Sequence, residues 1–273
     1  MFASGKSSSS GADTQVTAFN GGKSVYVYSS DYTLSSGRVH RITVDSSTTY
    51  SNGKTVGLGD IVVVALSRNP FETFYDEPTV SGFTKIYSGN NAGNTRYAFI
   101  YYGIYNGTDI TIDVEKFSIA TDQPFIYHMY SIRYSDTSTP FDVSIDVDEY
   151  EIVSTIAGNY AINHAALTTN TNNAVIINGL IGGGSGNDSP ATNPPSLETY
   201  LSLPSNMSEA CAELQVAGYT GSFNDPKTHY TFVAQHKKET AGSFDPGTWG
   251  TLVLAANQNV MLRSYTLAIK PAP

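Results

Sequence analysis

The run Ile61-Val62-Val63-Val64-Ala65-Leu66 constrains this chain more than any other stretch. It follows the turn signal Gly59-Asp60 and carries no polar side chain. Successive residues of a strand point to opposite faces, so an unbroken apolar run leaves neither face for water. Its β-branched side chains favour the pleated backbone over the helix. The run therefore predicts a strand in the buried centre of a sandwich.

The rest of the chain supplies strands in number. The pattern predicts them at 24–28, 39–44, 61–67, 83–87, 96–105, 110–117 and 125–134, then at 141–147, 161–168, 174–181, 197–203, 214–219, 230–235, 251–255 and 260–269. Ile110, Ile112 and Val114 alternate with Thr111, Asp113 and Glu115, which gives one dry face and one wet face. Asn106-Gly107 between two runs predicts a hairpin, because a type I′ turn needs two residues that accept φ > 0. Asn172-Asn173 is a second tight-turn candidate. Ala174-Val175-Ile176-Ile177 is apolar on both faces, like the first run. Helix evidence is confined to 205–214, where at most two turns would fit.

Composition agrees. Of 273 residues only 14% are charged, while Gly, Asn, Ser and Thr are plentiful and 19 are Tyr. With 12% aromatic residues and repeated apolar runs there is enough to bury, so disorder is not the reading. The expected fold is all-β: an antiparallel, jelly-roll-like sandwich over 37–273, preceded by an N-terminal arm over 1–36 that carries one short strand. Residues 1–22 are small and polar and read as the mobile part of that arm. No repeat of fixed period appears, which excludes β-helix, propeller and fibre-shaft readings.

A net charge of −9 argues against a nucleic-acid surface, which needs clustered Lys and Arg. The longest apolar run is too short to span a bilayer, so no membrane insertion is expected, and no export signal is visible at the start. Cys211 is the single cysteine, and it reads as a small packed side chain.

Candidate chemistry is sparse. Gly182-Gly183-Gly184-Ser185-Gly186 opens a long loop to Pro195 but lacks the Lys-Ser/Thr of a phosphate loop and the last glycine of a nucleophile elbow. His40, His128, His164, His229 and His236 show no metal-ligand spacing, and His229 and His236 fall on opposite faces of one strand. Asp142, Asp146, Asp148, Glu149 and Glu151 crowd into ten residues; in extended chain the three aspartates share a face and could take Ca²⁺, although a solvated strand face explains them as well. Tyr97, Tyr101, Tyr102, Tyr105, Tyr127, Tyr130 and Tyr134 could stack on sugars or pack against protein. Asp113 with Glu115 on a single strand face is a possible pair of glycosidase carboxylates, although most such pairs are merely solvated. The reading that follows assigns no catalytic, cofactor or metal residue.

The order of several segments resembles a jelly-roll domain of tailed-bacteriophage structural proteins. They are Gly59-Asp60-Ile61-Val62-Val63-Val64, then Ser81-Gly82-Phe83-Thr84-Lys85-Ile86, then Arg96-Tyr97-Ala98-Phe99-Ile100-Tyr101-Tyr102-Gly103. The strands at 126–134 and 173–182 follow, and Ser264-Tyr265-Thr266-Leu267-Ala268-Ile269-Lys270-Pro271 closes the series. Phe83 stands where that family often has Trp. The resemblance implies a non-enzymatic virion protein, associated with head decoration, tail or fibre, that assembles with other virion proteins and as a homo-oligomer. A module binding a host-surface glycan is the alternative, and a glycan-degrading enzyme comes third. No functional residue carries over, because the matching positions are core strands.

Overall fold

The computed structural model describes residues 17–68, 74, 76–90, 96–116, 124–153, 157–164, 166–186, 197–220, 226–256 and 258–273. In chain order the strands are β1 (Ala18–Val27), β2 (Val39–Val44), β3 (Ile61–Ser67), β4 (Thr79–Ser81), β5 (Phe83–Asn90), β6 (Arg96–Ile104), β7 (Ile110–Glu115) and β8 (Phe125–Arg133). A second series follows: β9 (Asp146–Val153), β10 (Gly158–Ile162), β11 (Leu167–Thr169), β12 (Ala174–Gly186), β13 (Glu209–Thr220), β14 (Pro226–Lys238), β15 (Gly242–Phe244), β16 (Gly250–Leu254) and β17 (Gln258–Ile269). Among the described residues the only helices are one turn of 3-10 at Ser29–Asp31 and α1 (Leu197–Tyr200). No helix among them is long and apolar enough to cross a membrane. The fold is an all-β, antiparallel sandwich.

The two series share one plan. In the first, the sheet order is β1-β8-β3-β6-β5, with a second sheet β2-β7-β4. In the second, it is β13-β14-β12-β17-β9, with β10-β16 and β11-β15 as outer pairs. First strand pairs with last, and inner strands pair in nested order: β1 with β8, β2 with β7, β3 with β6; then β9 with β17, β10 with β16, β11 with β15, β12 with β14. That nesting is the jelly-roll path, a long antiparallel hairpin wrapped into two sheets. The sandwich expected over 37–273 is thus two stacked sandwiches, and β1, expected within an arm, is an edge strand of the first.

The five-stranded sheets pack face to face, β1 over β13, β8 over β14 and β3 over β12. Corresponding strands therefore run in reversed order across the seam, with β3 over its counterpart β12. Both central sheets are consequently buried on both faces. Val62, Val64 and Leu66 face Ile42, Ile112 and Val114 of the β2-β7-β4 sheet. Ile61, Val63 and Ala65 face Val175, Ile177 and Leu267 across the seam. Ile176, Leu180 and Leu262 cover Trp249 and Leu252 on the far side. Every residue of β3 is buried, as its sequence requires.

Several local expectations are corrected. The mobile arm does not extend to residue 22, because β1 begins at Ala18 and Asn20, Gly21 and Gly22 are buried against β8; residues 1–16 lie outside the described residues. Asn106-Gly107 makes a turn but no hairpin: β6 and β7 belong to different sheets. Asn106 accepts the Thr108 N–H through its side chain, and only Gly107 has φ > 0, at 94°. The glycine run 182–186 is strand, paired with β14 and β17 on its two sides. Residues 197–200 are a helical turn where a strand was expected, and 209–214 are strand where a helix was a candidate.

Candidate functional site

The sequence-predicted carboxylate pair is the one candidate that the structure places on a wet, concave surface. Asp113 and Glu115 lie two apart on β7, so both leave the outer face of the β2-β7-β4 sheet while Ile112 and Val114 enter the core. Register sets Arg41 of β2 opposite Asp113, and Thr79 of β4 on its other side. Arg41 donates from Nε and Nη2 to the two carboxylate oxygens of Asp113, at 2.7 and 2.6 Å. This fork-on-fork contact fixes both side chains in one plane. The turn from Leu34 folds back to bridge Val39, and with these residues it lines a half-open groove of about 460 Å³. The side chain of Arg41 is 48% exposed and that of Asp113 22%. Sequence reasoning singled out neither Arg41 nor Thr79. Alternation alone puts Arg41 on the wet face of its strand, but its meeting with Asp113 needs the register of two strands 72 residues apart.

Asp142 and Glu149 are bound into the fold. Asp142 does not join Asp146 and Asp148 on a strand: β9 begins at Asp146, and Asp142 is buried beneath the turn before β12. Its carboxylate accepts from the backbone N–H groups of Asn170 and Thr171 and from the Thr171 hydroxyl at 2.8 Å. Glu149 reaches the first sandwich, taking the Tyr87 hydroxyl and pairing with Arg263 at 3.5 Å. Among the described residues no three His, Cys, Asp or Glu side chains converge as metal ligands would.

The histidines are likewise dispersed. His128 sits in the seam, hydrogen-bonded to Thr231 and to the Tyr265 hydroxyl. The Tyr265 hydroxyl in turn lies 3.3 Å from that of Tyr130, which extends the network along the seam. Burial pushes its pKa down to about 3, so the ring is neutral. His164 contacts Ser264 and the Trp249 indole N–H in the outer core of the second sandwich, and burial lowers its pKa to about 3. His40 packs edge-on against Phe125, His229 against Tyr26 and His236 on Phe244. The last two do lie on opposite faces of β14.

Among the described residues the tyrosines do not form a stacking platform. Tyr101, Tyr105, Tyr127 and Tyr130 are buried, and Tyr102 packs edge-on against Phe141. Tyr134 is partly exposed at a backbone φ of 58°, and the side chain of Tyr97 lies outside the described residues. Cys211 borders a smaller cavity of about 310 Å³ with Phe19, Lys54, Glu209 and Gln235. Burial, with Glu209 nearby, pushes its thiol up and keeps it protonated, the opposite of an activated thiolate. The glycine run holds no phosphate loop, since its backbone groups are spent on strand pairing; residues 187–196 lie outside the described residues.

No family model matches the chain, and no curated protein matches it. A crystal structure of a candidate secreted protein from Eubacterium rectale aligns at 12% identity over 91% of this chain and 74% of that one, with a TM-score of 0.23. A likeness of that size carries no inference.

Proposed function

We propose that this chain is a non-enzymatic structural subunit of a bacteriophage virion, a head-decoration or tail-associated jelly-roll protein that assembles with other virion proteins and with copies of itself. The observation that carries the reading is where the buried polar groups go. Asp60, completely buried, accepts from Asn20, Ser131, Arg133 and the Gly57 N–H. His128 ties the first sandwich to Thr231 and Tyr265 of the second. His164, Trp249 and Ser264 close a further network in the outer core. A subunit that must hold its shape in a particle needs such internal cross-ties, and fully satisfied buried networks rigidify a fold. The sequence resemblance supports the same reading.

Mass spectrometry of purified particles of the encoding phage, with antibody labelling in electron micrographs, tests it. The expected result is the chain as a stoichiometric component at one fixed location on head or tail. Its absence from washed, infectious particles would overturn the proposal.

A further inference from the structure

We propose that the cavity on the outer face of the β2-β7-β4 sheet binds a neutral polyhydroxylated ligand, the exposed end of a surface glycan. The inference goes beyond the structural role, since a subunit can build a particle without touching sugar.

Shape comes first. The cavity, about 460 Å³, lies within the range of small-molecule sites and suits one or two sugar rings. Its chemistry alternates donors and acceptors. The Asp113–Arg41 pair engages two of the five guanidinium N–H donors, and Glu115, exposed two residues on, is acceptor-only. Ser35 and Thr79 add hydroxyls, while Leu34 and Val39 offer aliphatic surface. Adjacent sugar hydroxyls each donate and accept, and the C–H face of the ring is apolar. A guanidinium paired with one carboxylate, a second carboxylate on the same strand face and a patch of aliphatic carbon match that surface.

Other ligand classes match less well. An anion would meet Glu115 and an arginine already neutralised by Asp113. A divalent cation would find no third ligand among the described residues.

The second sandwich supplies an internal comparison. There the β10-β16 pair stands where β2-β7 stands in the first. Its outward residues are Asn159, Ala161, Thr251 and Val253, all exposed and none charged. The jelly-roll path therefore does not demand an Arg–Asp–Glu set at this place. Among the described residues of these two strand pairs, only that of the first sandwich has one.

The test uses the full chain and the methyl glycosides of glucose, galactose, mannose and N-acetylglucosamine, read by saturation-transfer NMR and calorimetry. Arg41→Ala and Glu115→Gln remove the donor and one acceptor, and Thr251→Ala is the control on the second sandwich. Melting temperature confirms that each variant is folded. At least one glycoside is expected to bind in the millimolar range, with a tenfold or greater loss in both cavity variants and none in the control. Binding by no glycoside overturns the proposal, as does binding that both cavity variants retain. Retention of oligolysine, lost in Glu115→Gln, with no sugar bound would identify a basic protein partner and overturn it too. Each of these outcomes is independent of whether the chain is found in particles.

Discussion

The hydroxyls of Tyr130 and Tyr265 meet 3.3 Å apart in the seam between the central sheets. Each comes from the closing strand of its own sandwich, and each stands opposite the middle strand of its sheet, Tyr130 opposite Val63 and Tyr265 opposite Gly179. The pair thus sits at corresponding positions of the two halves, and His128 and Thr231 extend the chain of hydrogen bonds. Tyr265→Phe removes the hydroxyl that His128 Nε2 bonds and leaves a buried ring nitrogen without that partner. The expected cost is about 2 kcal/mol in urea unfolding, with a smaller loss for Tyr130→Phe, which takes away only the far hydroxyl. Equal stability of Tyr265→Phe and the parent would show that the network does not couple the sheets.

Two buried histidines, one in the seam and one in the outer core, predict acid lability. Burial holds both His128 and His164 neutral, at pKa values of about 3 against about 6.5 in an unfolded chain. Folded pKa values below the unfolded value mean that the unfolded chain binds more protons as pH falls. The stability these histidines supply is complete above about pH 6.5 and is lost progressively between pH 6.5 and 3. Each contributes a slope of up to about 1.4 kcal/mol per pH unit in that window. Urea midpoints should hold from pH 7.5 to about 6.5 and fall from there to pH 5, and His128→Gln should flatten that slope by one proton. A pH-independent midpoint in the parent would contradict this.

Asp60 is the corresponding anchor inside the first sandwich. Arg133 reaches it with Nε at 3.0 Å and Nη2 at 3.2 Å, Asn20 at 3.1 Å and the Gly57 N–H at 2.9 Å. Asp60→Ala removes the shared acceptor of all of these donors, leaving Arg133 Nη2 and Asn20 with the Thr55 carbonyl. Because the Arg133 side chain keeps 34% of its surface in water, the expected loss is about 3 kcal/mol, the lower end for a broken buried pair. Asp60→Asn, which retains an acceptor oxygen, should lose less. Chemical denaturation of the two variants checks the order.

How much of this was legible in the sequence follows from what each residue's neighbours contribute. Ile61 to Leu66 declared a doubly buried strand because six apolar side chains in a row have no other solution. The Ile110, Ile112, Val114 alternation gave the wet face and so the place of Asp113 and Glu115. The duplication stayed hidden because nested pairing is a property of backbone register and leaves no repeated residues. At one equivalent position Val63 fills the space beside Tyr130, whereas Gly179 vacates it for the ring of Tyr265, which lies where a Cβ would be. The glycine run misled for a related reason. Glycine weakens an isolated strand, but here two partner strands supply the pairing and require the close approach. The Arg41–Asp113 contact was invisible because it depends on long-range register.

Gly182 makes that last point measurable. Its φ is 153°, and a Cβ built there would lie 2.0 Å from the Met261 carbonyl oxygen, a backbone atom that cannot move aside. Gly182→Ala is therefore expected to cost more than about 2 kcal/mol, through backbone strain and steric conflict together. Gly242, whose Cβ would meet nothing within 4 Å although its φ is 140°, provides the matched comparison. Gly242→Ala should cost only the conformational part. Similar melting temperatures for the two variants would mean that β12 relaxes away from β17 at that point.

Truncation of the N-terminus separates the fold from the arm. Deleting residues 1–22 removes the start of β1, from Ala18 through Gly22, and with it the pairing of Ala18 to Arg133 and Gly22 to Tyr130. It also removes Asn20, whose amide donates to Asp60, to Ser131 and to the Thr55 carbonyl. A chain shortened to residue 22 should thus lose several kcal/mol, roughly the sum of an edge-strand half and one buried side-chain cluster. Deletion of residues 1–16 leaves all of those contacts in place and should melt with the parent. Particle incorporation is then read on the shorter deletion alone. If it melts normally but no longer incorporates, the first 16 residues are an assembly segment. If the longer deletion also melts with the parent, β1 is dispensable and its placement in the first sandwich is wrong.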